Sequence, residues 1–440
     1  MTIEYDTIVI GAGIAGLTAA RDIADRGHSV VVLEGGQRIG GRTYARPFAG
    51  RPDVTVDFGG SWVNRKLQPN MNREIRRYGI TLKDDLPTQT AAFYTGGARR
   101  IMPVPSEELG DLERALNHVR DASKRIVPNR PLTSQTLRDL DVTFDQFFAP
   151  LDLPDATRDA VLAMTAAFSG SDPHEISMLN LIGQVAGYGY SPYGFVGALT
   201  ERFVGGAATL LNAMIDGSRL EVRLDHRVVS VEQSTDEVTV RTAGGVSVTA
   251  RTCIVAAPTN VLRHIEFTPQ LSAAKQRATA VNHASRAFKT VALVRNLHAR
   301  PYALGITDIH MVCHAYDLGD GSHILYGFGS ASVSELDYFD RDQVENVLRL
   351  YFPDIEVVAV DAYDWNADPL FDGTYRFDRA GEYYDTVIAM NTPEDRIVFA
   401  GTDIDDSLWR SWMEGAVNSA HQAADITEAR LVRAAAEVSR

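Results

Sequence analysis

An α/β fold with a Rossmann-like nucleotide-binding domain, interrupted twice by a second domain of α+β character with mixed sheet and helix, is predicted from three observations. A glycine-spaced segment, Gly11-Ala-Gly13-Ile-Ala-Gly16, lies between an apolar run and an alanine-rich one. An acidic residue, Glu34, closes the next apolar run. The chain has 440 residues, more than one hydrophobic core normally serves. The predicted nucleotide-binding domain is assembled from residues 1–86, 203–281 and 395–440, and the second domain from 87–202 and 282–394.

Taken in order, Thr7 to Ile10 form the entering strand and Leu17 to Ala24 the leaving helix, with Ile14 and Ala15 at its start. Gly11 permits the tight turn and Gly13 lets the backbone approach a pyrophosphate. Gly16 lets the helix lie close to the sheet, so that its positive N-terminus faces the phosphates. Val30 to Leu33 are the second parallel strand, and Glu34 at its carboxyl end, followed by Gly35, is placed to accept bonds from ribose hydroxyls. An ADP-containing dinucleotide follows from this set.

In the second stretch, strands are predicted at Leu220–Arg223 and Arg227–Gln233. A hairpin of Val238–Arg241 and Val246–Ala250 turns on Gly244-Gly245, before a buried strand at Cys253–Ala257. Near the C-terminus, Ile397–Ala400 is a strand and a helix begins near Trp412, with Gly415, Ala416, Ala420, Ala423 and Ala424 forming a small-residue face. Residues 87–202 read as mostly helical, including Leu109–Ile126 and Asp159–Phe168. Residues 282–394 contain strand-like runs at Phe288–Val294, Met311–Ala315, Ile324–Phe328 and Val357–Tyr363, and a helix near Gln343–Tyr351.

A formal charge of −14 and the lack of long basic clusters exclude nucleic acid or an anionic membrane as the expected partner. No apolar run reaches eighteen residues, and the first strand begins without a signal-peptide pattern. Two cysteines, Cys253 and Cys313, support neither a metal cluster nor a disulfide framework, so no metal is expected and the cytoplasm is the expected compartment.

Further motifs are spread over nearly the whole chain: Val31-Val-Leu-Glu34 with Gly40-Gly-Arg-Thr43, Asp57-Phe-Gly-Gly-Ser-Trp62, Phe288-Lys289, Trp365-Asn-Ala-Asp-Pro-Leu-Phe371, and Gly401-Thr-Asp403 with Trp412-Met-Glu-Gly415. In these the chain resembles the flavin-dependent amine oxidase family, which includes monoamine and polyamine oxidases. The resemblance implies an amine-oxidase-type fold and FAD as cofactor. It implies that Gly41 and Arg42 bind the pyrophosphate and that Gly59, Gly60, Ser61 and Trp62 pass the isoalloxazine. It further implies that Val229 clamps the adenine through its backbone and that Trp365, Gly401, Asp403, Met413 and Ala416 complete the cofactor contacts. Thr374 stands where monoamine oxidases carry a flavin-tethering cysteine, so the FAD is expected to be non-covalent.

The resemblance also implies that Lys289 faces the flavin and that Tyr375 and Trp412 flank the substrate amine. Without it, Lys289 suits the solvent face of an alternating strand, and both rings suit a core. Pocket walls are expected from Phe168, Tyr188 and Tyr190 and from the strand around Cys313. A nicotine-oxidising branch of the family carries an asparagine and a tyrosine where this chain has Ala167 and Cys313, which argues against a hydroxylated nicotine substrate. The expected reaction is oxidation of a primary or secondary amine at the carbon next to nitrogen, giving an imine and hydrogen peroxide, with a small amine and dioxygen as partners and a homodimer left open. The alternatives are an amine dehydrogenase with a non-oxygen acceptor, an amino-acid oxidase, or a flavin-binding protein without turnover.

Overall fold

Two sheets organise the chain. The structure, a computed structural model, describes residues 3–438 other than Ala198 and Arg219. Met1, Thr2, Ala198, Arg219, Ser439 and Arg440, which the sequence reading assigned to domains or to the C-terminal helix, lie outside the described residues.

The first sheet has eight strands. Its centre is β1 (Tyr5–Ile10) beside β2 (Val30–Leu33), paired in parallel, with helix α1 (Ile14–Asp25) between them in sequence. Glu221–Arg223 extends the parallel set beyond β2, and Ser247–Val255 joins β1 on its other side. The hairpin forms as its glycines require: Val238–Thr242 runs antiparallel to Ser247–Val255, and Gly245 takes φ +80 in the turn. Two strands predicted separately, Val246–Ala250 and Cys253–Ala257, are one nine-residue strand. Its first half pairs with the hairpin, and its second half holds β1 and Ile397–Phe399 in parallel. Ala256 and Ala257 have already left the sheet. The switch of partner along one strand, which local periodicity cannot reveal, is why two elements were read there.

The C-terminal helix (Met413–Val438) lies against α1. Its Val417, Ala420 and Ala424 are buried with Leu17 and Ala20 of α1 in one cluster. Small residues on this face bring two helices and the sheet together, which places residues 401–416 beside residues 11–16.

The second sheet has seven strands in the order Glu356–Ala362, Ala287–Arg295, His323–Ser330, Met311–Asp317, Pro301–Gly305, Thr90–Thr95 and Ala98–Arg100. Thr90–Thr95 and Ala98–Arg100 come from the stretch read as mostly helical. Helix Asp155–Ser169 packs on this sheet, and Arg341–Tyr351 covers it over the strand Glu356–Ala362. The helices of residues 109–187 add a large apolar cluster around Phe144, Leu181 and Val185.

The fingerprint glycines differ in what they need. Gly11 adopts φ +100. At Gly16 a Cβ would lie 1.9 Å from the Gly11 carbonyl oxygen, a backbone clash that only an absent side chain avoids. Gly16→Ala is therefore expected to separate α1 from the turn, with a loss of about 1–3 kcal/mol of stability and of bound flavin, read by thermal melting and by flavin absorbance after purification.

Candidate active site

One cavity of about 340 Å³ runs from the fingerprint to the second sheet. At one end it is lined by Gly11, Gly13, Ile14, Ala15, Glu34 and Gly35. Gly13 caps α1 without any side-chain cap bond, so the first-turn amides are open to a ligand anion. A Cβ on Gly13 would find its nearest neighbours at 4.0 Å, in the backbone of Gly40 and Gly41, so the chain there is thin and unobstructed. Glu34 accepts from the backbone N–H of Ala12 at 2.7 Å and of Gly36 at 2.8 Å, which fixes its carboxylate at the carboxyl end of β2. These features fit a dinucleotide: open helix amides for the pyrophosphate, and a held carboxylate for ribose.

Further along, Gly41, Arg42, Gly59, Gly60, Ser61, Trp62, Trp365, Gly401, Met413 and Ala416 line the same cavity. Arg42 donates to the Thr374 carbonyl at 2.6 Å and to Asp403 Oδ1 at 2.7 Å. Asp403 is almost fully buried and also accepts from the Thr259 N–H at 3.1 Å. Burial pushes its carboxyl upward, but Arg42, His283 and the Thr259 amide outweigh that and hold it at about 2. Asp403 is not among the lining residues; it stands behind Arg42 and orients it. Gly16 likewise acts from behind, through helix packing. At the expected adenine end, the lining falls on Arg227 and Val228 rather than on Val229.

At the other end stands Lys289. The strand Ala287–Arg295 is buried along almost its whole length, so Lys289 is not on a solvent face. Its Nζ donates to Ser61 Oγ at 2.6 Å and to the Gly59 carbonyl at 3.3 Å, and lies 3.9 Å from the centre of the Tyr326 ring. Burial lowers its pKa to about 7, against a partial upward pull from Asp57. Sheet register sets its neighbours: Lys289 is opposite Phe328, and Phe328 is opposite Met311, so one row across three strands forms this wall.

Tyr375 and Trp412 line the cavity as well. Gly170, at φ +57, lets the helix end at Ser169 turn tightly beside Tyr375; a Cβ there would meet Ala287 at 2.2 Å. Ser411 takes φ +73, unusual for a side-chain-bearing residue, and its hydroxyl donates to the Arg376 carbonyl. The Trp412 carbonyl accepts from Thr402 Oγ1 at 2.8 Å. Trp412 is therefore set by bonds on both sides of its peptide. Thr374 is engaged as a hydrogen-bonding residue, with Ser285 Oγ at 3.0 Å and the Ala287 N–H at 3.2 Å.

Of the expected pocket walls, Phe168 lines the cavity. Tyr188 does not; its ring packs edge-on against Trp412, with centroids 5.7 Å apart, and so supports the wall from behind. Cys313 is also set back, buried in the second sheet with its thiol pushed up to about 12 by burial, while Met311 on the same strand reaches the cavity. Tyr190 is packed against the helical core and is not a lining residue. Sequence reasoning missed Met311, Phe328, Leu199 and Gln184. The signal for Met311 and Phe328 was their place in strand-like runs; Gln184 needed helix placement, and Leu199, in a connecting segment, gave none.

Removing the acid behind Arg42 tests this arrangement. Asp403→Ala leaves a partly buried guanidinium without its counter-charge, and a loss of about 3–5 kcal/mol is expected. The accompanying fall in flavin occupancy is read by absorbance of the purified protein.

Comparison with known proteins agrees with this geometry. The model of the family described as flavin containing amine oxidoreductase matches residues 14–426. The chain is 32% identical over 425 residues to (S)-6-hydroxynicotine oxidase of Paenarthrobacter nicotinovorans, covering 94% of this chain and 97% of that one. It is 29% identical to nicotine dehydrogenase of Pseudomonas putida over 94% of this chain and 86% of the relative. Among solved structures, putrescine oxidase bound to putrescine superposes with a TM-score of 0.86 at 22% identity, over 97% of this chain and 99% of that one, a likeness of fold. The fold is the amine-oxidase fold, the cofactor is FAD, and the chain belongs to the flavin-containing amine oxidoreductase family, whose reaction is the oxidation of amines.

Proposed function

We propose that this protein is an oxidase of primary or secondary amines in which Lys289, Tyr375 and Trp412 form the reacting end of the cavity and dioxygen is the final acceptor. The observation that carries the reading is Lys289: a buried ammonium, held by Ser61 and Gly59, in one cavity with the fingerprint and two aromatic rings. Bound FAD supplies a two-electron acceptor. Across the whole reaction the amine loses two electrons and two protons to become an imine, and dioxygen gains both to become hydrogen peroxide.

The chain's own contribution is positioning and proton handling. The rings of Tyr375 and Trp412 exclude water and restrict the amine to one approach, and their π-faces favour residual positive charge on nitrogen. A pKa of about 7 makes Lys289 Nζ able to hold or release a proton near neutrality. Gly401, Met413 and Ala416 from one end of the chain and Gly13 and Arg42 from the other hold the cofactor.

The division into a nucleotide-binding domain (1–86, 203–281, 395–440) and a substrate domain (87–202, 282–394) is part of this proposal, supported by which residues supply each sheet. So is a cytoplasmic location, supported by two buried cysteines without a disulfide; among the described residues no helix is long and apolar enough to cross a membrane. A homodimer is tested by light scattering, where the mass of one chain removes it. The similarity to a dehydrogenase favours one second reading, transfer to a non-oxygen acceptor. Turnover in air should exceed turnover with an artificial dye under nitrogen; the reverse order selects the dehydrogenase.

Lys289→Met should keep FAD bound, slow reoxidation of the reduced flavin by oxygen, and remove an inflection near pH 7 from that rate, as followed by stopped-flow absorbance. The same substitution has a signed effect on stability. The folded pKa lies below the unfolded value, so the native state binds fewer protons between about pH 7 and the ordinary lysine range, and native stability rises with pH across that window. The variant is therefore expected to melt higher than the parent at pH 7, with the gap narrowing as pH rises toward 10.

A further inference from the structure

Beyond the aromatic pair, the cavity wall is apolar: Ala167, Phe168, Leu199, Met311 and Phe328. Among the described lining residues the single carboxylate is Glu34, held at the fingerprint. Arg42 is paired with Asp403, and Arg227 packs beside Gly35 at the nucleotide end. Lys289 is thus the charged group at the reacting end. A second ammonium on the substrate would meet no counter-charge there, and a substrate carboxylate would meet no guanidinium.

One neutral polar side chain interrupts this wall. Gln184 lies on the helix Met178–Gly187, lines the cavity, and is only 4% exposed. Its Nε2 donates to the Arg410 carbonyl at 3.5 Å, the outer limit for such a bond, and its carbonyl oxygen has no protein partner among the described residues. One helical turn later Tyr188 packs on Trp412, so this helix face meets the 410–412 segment that carries the cage. A carboxamide has two donors and two acceptor lone pairs, so Gln184 can offer both a donor and an acceptor to a polar group in the cavity.

We propose that Gln184 is a specificity residue, hydrogen-bonding a neutral polar group of the amine, and that the substrate is a singly charged amine with an apolar body and one uncharged hydrogen-bonding group such as a hydroxyl, carbonyl or ring nitrogen. The inference rests on the amine-oxidase reading above. It differs from the contacts that Ala167 and Cys313 no longer offer, because the polar partner comes from another helix.

Steady-state peroxide release by the FAD-loaded protein tests it, with N-methylphenethylamine, its ortho-, meta- and para-hydroxylated counterparts, putrescine and L-phenylalanine. The best hydroxylated amine is expected to exceed the parent amine in kcat/KM by about tenfold, the scale of one good hydrogen bond in a buried site. Gln184→Leu, similar in volume, should erase that ratio, with the flavin spectrum and the melting temperature near those of the parent. Gln184→Glu controls for folding: it keeps the shape and should likewise change the ratio rather than flavin binding. An unchanged ratio in both variants, no preference in the parent protein, or faster turnover of putrescine or phenylalanine overturns the inference and leaves amine oxidation standing. If no amine in the set bleaches the flavin anaerobically, it is the amine-oxidase reading that falls.

Discussion

The Arg42–Asp403 ion pair joins the two ends of the chain at the point where they must cooperate. Arg42 follows the second glycine pair, and Asp403 follows the last strand of the first sheet. Neither is placed alone: a buried carboxylate needs a counter-charge, and a guanidinium lining the cavity needs to be held at one angle. The pair at 2.7 Å meets both needs, and the Thr259 amide secures the carboxylate from a third segment. The cofactor end of the cavity depends on this junction, because residues 401–416 take their place beside α1 through it and through the small-residue face of the final helix.

The reacting end depends on a different constraint, the register of the second sheet. Lys289, Phe328 and Met311 are neighbours because three antiparallel strands are paired without slip at that row. A shift by one residue would turn every side chain of a strand to the opposite face. The cost of burying an ammonium there is met in part by Ser61, Gly59 and the Tyr326 ring, and what remains of it appears as a lowered proton affinity. In the proposed reaction, stability and reactivity pull in opposite directions at this one side chain.

Much of the fold was legible in the residues themselves. Gly11, Gly13, Gly16 and Glu34 signal the strand–turn–helix–strand unit because each answers a local steric or hydrogen-bonding demand, and Gly244-Gly245 signals its hairpin for the same reason. The continuous strand Ser247–Val255 was not legible as one element, since its two halves answer to different partners. At the site, Arg42 and Lys289 stand out through motif and resemblance, whereas the acid behind Arg42 and the Lys289–Phe328–Met311 row exist only once distant segments are paired. Tyr188 and Cys313 mark the limit of that reading. A motif locates a stretch of chain, but whether a given side chain or its neighbour reaches the cavity is set by packing.

The cavity that takes the dinucleotide draws on Gly11 at one extreme and Ala416 at the other, so during synthesis the ligand site cannot exist until the last helix has emerged from the ribosome. The first strands and α1 must therefore wait for their partners in that cavity through the making of almost four hundred residues. Cofactor capture is then a late event that reports on completion: a prematurely ended chain would carry an intact fingerprint and still hold no flavin, and the yellow colour of the protein would mark those molecules whose two ends have met.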